Sequence, residues 1–282
     1  MKVKFTVVAC VTFMVLAFID PASFVLNARN GMMLFSSSVL PVLFPFFLIT
    51  GLLIELDLLK KGKFQKIGLV VLSYLAGYPT SARMIAQLYN RGEITRSEAI
   101  KTAAYTSTQS PIFIIATVGV AIYQDVWLGV IIFAAHVLGA IANGVLYSFG
   151  KWQSLSQQLC TAPNKKDVSE AVASALNSAV QNILAVGGLI VVFFIASAPL
   201  GVVGSSLLEM TTGIFRASEI TNGIWRAIIP CAIVSFGGLC VAMQGFVFLK
   251  DLKMPIWFYF IYKITHTIIS IGIVALLYVI FV

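Results

Sequence analysis

The sequence predicts an all-α polytopic membrane protein built from inverted repeats with two re-entrant helical hairpins. Three observations carry that prediction. The 282 residues are 59% hydrophobic and only 11% charged, against about 25% charge in a typical soluble domain. Two apolar runs, Ile67 to Leu88 and Ile228 to Leu249, are long enough to cross a bilayer yet are broken at their centres. The basic residues fall mostly in short loops, where they orient a chain in its membrane.

A span needs about 20 apolar residues, so this length admits about eight or nine membrane segments. They form one integral domain, 1–282, with no room for a soluble domain. The net charge of +8 is an orientation signal, and no nucleic-acid partner is expected. Cys10, Cys160, Cys231 and Cys240 are scattered, with neither metal-ligand spacing nor a disulfide pattern. No metal and no cofactor are expected.

In chain order, Phe5 to Ile19 reads as a first helix ended by Asp20-Pro21, since proline disfavours helix at the residue before it. Its basic start could mimic a signal peptide, but with so many spans downstream a retained helix is expected. Asn27 to Asn30 reads as a polar loop. Met32 to Leu56 is a span kinked at Pro41 and Pro45. After a lysine-rich loop comes the first broken run, interrupted at Gly77-Tyr78-Pro79-Thr80-Ser81-Ala82-Arg83. Backbone freed from helical hydrogen bonds survives at membrane depth only where protein or a water-filled cavity surrounds it.

Asn90 to Lys101 reads as a surface turn and short helix. Thr102 to Tyr123 is a span interrupted at Thr106-Ser107-Thr108-Gln109-Ser110-Pro111, and Trp127 to Tyr147 is another. Val168, Val172, Leu176, Val180 and Ile183 recur every three or four residues, so an amphipathic helix leads into a span ending near Ala198-Pro199. Gly201 to Phe215, with Glu209-Met210-Thr211-Thr212-Gly213, is too short to cross. The second broken run is interrupted at Ser235-Phe236-Gly237-Gly238 and followed by Gln244. Ile256 to Val282 closes the chain with Lys263 and His266 inside it.

If the first broken run returns to its own side, twelve basic loop residues share a face with Lys2 and Lys4 counted among them, against five opposite. That split places the N-terminus in the cytoplasm. The second hairpin then enters from the other face, as an inverted repeat requires. Gly77 and Ala82 fall on Gly237 and Ala242 at an offset of 160. The repeats are expected at about 32–123 and 180–282. Paired broken helices are the best sequence pointer to a transporter's binding site.

The tips are Gly77 and Pro79, and Gly237 and Gly238. A half-helix N-terminus at a tip attracts anions, with Thr80 or Ser81 as its cap. Alternatively Thr80 and Ser81 bond their own backbone around a simple kink. Intramembrane ionisable groups face the interior and are functional by default. Arg83, Lys263 and His266 are such groups, although Lys263 could snorkel outward and His266 could be a neutral imidazole bonded to a carbonyl. Arg83 has Glu209, Glu55 or a carbonyl as candidate partners. Glu209 is a proton or cation carrier, or a counter-charge. The solute-binding set is Tyr78, Thr80, Ser81, Arg83, Thr108, Gln109, Glu209, Gln244, Lys263 and His266. His136 is expected to be structural.

At these residues the chain resembles the nucleoside-recognition (gate) domain group, and within it the YlbJ-type sporulation integral membrane proteins. The matching stretches are Leu40-Pro41 with Phe44-Pro45-Phe46-Phe47, then Ala76 to Arg83, then Ser110 to Ile115 with Thr117-Val118-Gly119. Leu208 to Gly213, Gly237-Gly238-Leu239 with Val241 and Gln244, and Lys263 with His266 follow in family order. The resemblance implies a fold like the concentrative nucleoside transporters and a link to spore formation, with dipicolinate movement as the suggested activity. Arg83 stands where the family has lysine.

Three function classes follow. The first is a transporter or facilitator of a small anionic solute, dipicolinate or else a nucleoside-type molecule, working in a cell or spore membrane. H+ or Na+ would be its coupling ion, and a homo-oligomer its assembly. The second is a non-transporting gate or scaffold in a membrane complex. An intramembrane enzyme is not expected, because no metal motif or nucleophile–base pair stands at recognisable spacing.

Overall fold

The computed structural model describes residues 11–56 except 12 and 16, then 58, 63–148 and 167–282. The start of the first helix, most of the lysine loop, Cys10, Cys160 and nearly all of the Gly150–Asp167 connection lie outside the described residues, so part of the charge split does too. Every regular element among the described residues is helical. Described positions of 11–19 form α1. Then come α2 (Pro21–Leu34), a π-helical turn (Phe35–Val39), α3 (Leu40–Glu55), α4 (Lys63–Ala76), α5 (Thr80–Asn90) and α6 (Arg96–Tyr105). The π-helix Ile112–Ile122, here π2, leads into α7 (Val126–Ser148). The second half holds α8 (Val168–Ser197), α9 (Val202–Leu208), α10 (Met210–Ser218), α11 (Trp225–Phe236), α12 (Gly238–Leu249) and α13 (Ile256–Phe281). Among the described residues, five stretches are long and apolar enough to cross a bilayer: Pro21–Glu55, Val126–Tyr147, Val168–Ser197, Trp225–Leu252 and Ile256–Phe281.

The expected loop at Asn27–Asn30 is helix. Asp20 accepts the Ser23 N–H as N-cap, Pro21 opens the helix, and Asn27 bonds the Ser23 carbonyl, so α2 runs on into the span. At Pro41, where a kink is expected, the structure has a π-helical turn just ahead. Proline at 41 cannot donate to the preceding turn, and the Ser36 and Ser37 hydroxyls donate to the Met33 carbonyl.

Two packed groups of helices result. In one, α2 and α3 lie along α8, with Leu43, Phe47, Ala179, Ile183, Val186 and Ile190 between them. Small residues let these backbones approach: a Cβ on Gly51 would stand 3.3 Å from that of Ala175. In the other group α7 and α13 pack together, α11 lies on both, and π2 lies along α7. The larger apolar core fills this group, with Ile114, Ile132, Ala135, Val234 and Val274 fully buried in it. The groups meet where α5 touches α3 and where α12 and α9 touch α8.

The breaks at Gly77–Pro79 and Gly237–Gly238 fall where the sequence places them, a third at Glu209 does not, and their geometry distinguishes them. Between α4 and α5, Gly77 takes φ +74° and the Tyr78–Pro79 bond is cis. Between α9 and α10 a single extended residue, Glu209, reverses the chain, so that Gly213 lies against Ser206. At Gly237, φ +80°, the partners change: α11 packs on α7, α10 and α13, whereas α12 packs on α5, α8 and α9. In this half, then, the chain folds back on itself at Glu209, while the expected hairpin at Gly237–Gly238 is a helix that parts into two differently packed pieces.

Candidate functional site

The breaks between α6 and π2 and between α11 and α12 lie close together, and each is met by one tip, Gly77–Pro79 or Glu209. The first tip lies on the break between α6 and π2. Tyr78 N–H donates to Thr108 O at 2.7 Å and Ser81 Oγ to Thr106 O at 3.1 Å. A Cβ on Gly77 would fall 2.6 Å from Ser110 N, so only glycine fits this approach. The second tip lies on the break between α11 and α12. A Cβ on Gly238 would stand 3.2 Å from each of the Ser206, Leu207 and Leu208 carbonyls.

Unwound backbone inside a membrane must find partners within the protein, and here side chains supply them. Lys263 Nζ donates to Ser107 O at 2.9 Å. Gln109 N–H donates to His136 Nε2 at 3.0 Å, and His136 Nδ1 lies 2.9 Å from Ser235 Oγ. Since Nε2 accepts, Nδ1 carries the imidazole proton and donates to the serine. His136 therefore ties one break to the last turn before the other. Structural was the expectation, but nothing in the sequence shows that this histidine joins both interruptions. His266 Nε2 bonds the His136 carbonyl at 2.9 Å, which is the carbonyl-bonded alternative. Lys263 is wholly buried, so it does not snorkel.

A cavity of about 80 Å³ lies in front of the breaks, between the two groups of helices. Leu34, Ser38, Leu43 and Ile190 form one wall. Tyr78, Gln109, Ser110, Glu209, Thr211 and Gln244 bring polar atoms from the other. Four of the ten expected binding residues are thus on the wall: Tyr78, Gln109, Glu209 and Gln244. Gln109 Nε2 is buried without a partner, and Gln244 Nε2 reaches Cys240 Sγ at 3.3 Å. Ser110 belongs to an interrupted stretch legible in the sequence, and Thr211 to the polar Glu209–Gly213 stretch of a segment too short to cross. Ser38 is signalled only by the Ser36–Ser38 run inside an apolar span.

Among the described residues, Glu209 is the one charged residue on that wall. Its carboxylate accepts from Thr211 N–H at 3.0 Å, Thr212 N–H at 2.7 Å and Thr212 Oγ1 at 2.8 Å. It is the N-cap of α10 and occupies that half-helix's positive end itself.

The other six stand off the wall. Thr80 and Ser81 are buried, and neither caps α5, whose N-cap position is Pro79. Thr80 Oγ1 and Thr108 Oγ1 hold no partner. Lys263 and His266 lie behind the first break. Arg83 reaches away toward the other group of helices. Nη1 donates to Phe47 O at 2.5 Å, Nη2 to Ser178 Oγ at 3.0 Å, and the guanidinium sits 5.2 Å over the Phe47 ring. Of its expected partners a carbonyl is the one observed. Glu55 pairs with Arg91 at 3.0 Å instead. Among the described residues, no His, Cys, Asp or Glu cluster could hold a metal ion, and Cys231 and Cys240 are free thiols.

Compared with known proteins, the chain is similar to the sporulation integral membrane protein YlbJ of Bacillus subtilis (strain 168). The identity is 24%, over 89% of this chain and 76% of that protein. This chain is an integral membrane protein homologous to a sporulation protein. The likeness read from local motifs thus extends over most of the sequence. No family model matches the chain, and no solved structure matches it.

Proposed function

We propose that this homologue of YlbJ is a membrane transporter or facilitator of a small, polar, hydrogen-bonding solute, held in the cavity between the two groups of helices. The observation that carries the reading is the cavity's position. Both interrupted helices and both tips converge on it, and polar groups from each face it. Irregular backbone at a central polar cavity is the arrangement that alternating-access carriers use.

In this reading α4–α5 and α9–α10 are the two re-entrant hairpins, and α6–π2 and α11–α12 are the discontinuous helices that follow them. The full helices α7 and α13 close the repeats, which become Lys63–Ser148 and Val202–Phe281. That assignment moves the second hairpin from Gly237–Gly238 to Glu209 and keeps the proposed likeness to concentrative nucleoside transporters. The N-terminus is cytoplasmic, and the protein serves a cell or spore membrane during spore formation, a role carried over from the homologue's name.

The cavity's chemistry ranks the solutes. Its single charge is a carboxylate, and the three cations expected beside it make other bonds. A neutral nucleoside-like molecule with donors and acceptors for Gln109, Gln244 and Glu209 suits that wall first. Dipicolinate, a dianion, comes second, because it would face Glu209 without a counter-charge. The test is flux in liposomes with labelled uridine and labelled dipicolinate. Saturable uridine uptake supports the ranking, and dipicolinate uptake alone reverses it. No flux of either, in protein shown to be folded, moves the reading to a gate or scaffold in a membrane complex.

A further inference from the structure

Lys263 is the group that the cavity leaves unused. Its side chain is fully buried, and its one hydrogen bond among the described residues goes to Ser107 O at 2.9 Å. Among the described residues no carboxylate lies at ion-pair distance from it. His266 on its own helix and His136 on α7 interact with it electrostatically; Tyr262 lies against His266, Tyr259 is beside Ser107 and Tyr78, and α11 brings Cys231, whose thiol bonds Ser270 O. None of these is a carboxylate. The two imidazoles lie 4.9 Å apart and are committed elsewhere. Protonating His136 at Nε2 would break its bond from Gln109 N–H. His266 donates from Nε2 and keeps a buried Nδ1 without a partner.

A single charge at mid-membrane costs about 2.5–3.5 kcal/mol on insertion scales, and like charges in one dry cluster disfavour each other. Three bases with no acid among them therefore disfavour more than one positive charge in the cluster. Lys263 holds the Ser107 carbonyl, and the hydroxyls of Ser107, Tyr259 and Tyr78 are buried neighbours that hold no hydrogen-bond partner among the described residues. Tyr78 is part of the cavity wall, and its hydroxyl rests against Gly245, where a Cβ would fall 1.3 Å from it.

We propose that Lys263, with His266 and His136 behind it, is the site that binds and releases a coupling proton, exchanged with the cavity through Ser107, Tyr259 and Tyr78. The proposal rests on the transport reading above. Only N–H and O–H bonds change: as the ammonium gives a proton to the first hydroxyl, each hydroxyl passes its own proton on and Tyr78 releases one into the cavity, and the reverse order restores the ammonium. Glu209 is assigned the other duty. Its carboxylate oxygens are engaged by the N-terminus of α10, so it caps and does not carry.

Reconstituted protein decides this, as wild type, Lys263→Met and Lys263→Arg. In the wild type an inward pH gradient should drive uridine accumulation, and uridine counterflow should run without a gradient. Lys263→Met and Lys263→Arg should lose the accumulation and keep the counterflow. Accumulation surviving in Lys263→Met, or wild-type uptake indifferent to pH, overturns the proposal. A solute-free arm separates this from failure of the transport reading, which absent wild-type counterflow would show. In protein labelled with ¹⁵N-lysine, the Nζ signal assigned by its loss in Lys263→Met should move between ammonium and amine positions as pH is varied. A signal fixed at the ammonium position overturns the proton site, whether or not uridine moves.

Discussion

At Gly77–Pro79 and at Glu209 the chain leaves one short helix and begins another, and each junction rests on a break in a longer helix. The chemistry differs. The first tip has no side-chain cap. Its backbone is held from outside, by Thr108 O accepting from Tyr78 N–H and by Ser81 reaching Thr106 O. The second tip is self-sufficient: Glu209 folds back on the Thr211 and Thr212 N–H groups. One tip therefore depends on its neighbour's backbone, while the other carries its own anion. A buried polar Thr80 Oγ1 is left open at the first, and a filled helix terminus stands at the second. An anionic solute would compete with Glu209 at the second tip.

The largest expected effect tests how tightly the first tip is held. Gly77 and Gly237 have nearly the same backbone, φ +74° and +80°, but different surroundings. A Cβ at 77 meets Ser110 N at 2.6 Å, whereas at 237 the nearest atom is 3.4 Å away. Gly237→Ala should cost only the left-handed conformation, about 1–2 kcal/mol. Gly77→Ala adds a backbone clash and should leave little folded protein. Thermal unfolding followed by size-exclusion fluorescence reads the difference. Equal losses would mean that the first tip is not pressed on its break.

Glu209→Ala comes next. Losing a cap costs about 0.5–2 kcal/mol, and here two partly buried N–H groups and a hydroxyl lose their acceptor, so the upper end is expected together with loss of flux. Glu209→Gln keeps an acceptor and should recover much of the stability. Recovery absent in Gln but present in Asp would mean that the charge, not the acceptor, holds the tip. Arg83→Lys follows: donation to Phe47 O can persist, while the Ser178 bond and the stack on Phe47 go, for about 1 kcal/mol. A larger loss would show that the two groups of helices depend on the guanidinium fork.

These comparisons also show what could be read beforehand. Interrupted apolar runs were legible at Gly77–Pro79, Thr106–Pro111 and Gly237–Gly238, because glycine, proline and hydroxyl clusters inside apolar runs have few other uses in a membrane. The fold-back at Glu209 was not. α9 and α10 are each too short to register as a span, and one extended residue gives no pattern. The cavity's polar wall was half legible, in Tyr78, Gln109, Glu209 and Gln244. Arg83, Lys263 and His266 were rightly singled out as interior, but residue type cannot say whether a buried cation meets a solute or a backbone carbonyl. Here all three meet protein carbonyls, because interrupted and packed helices present acceptors that a sequence pattern does not reveal.

Thr80→Val gives the smallest change in stability and the finest test of the two tips. Thr80 is fully buried, and its Oγ1 has no hydrogen-bond partner. Valine has the same shape and removes a hydroxyl that the resting protein does not satisfy, so stability should change by less than about 1 kcal/mol, toward greater stability if at all. Thr212→Val makes the opposite substitution at the second tip, where the hydroxyl donates to Glu209 at 2.8 Å, and should be destabilising by about 1 kcal/mol. Function should invert that order if the open hydroxyl is kept for a moving solute: Thr80→Val would raise the KM for uridine flux while the melting temperature holds. An unchanged KM in Thr80→Val would leave the hydroxyl as packing only, and the first tip would then act on the solute through Tyr78 alone.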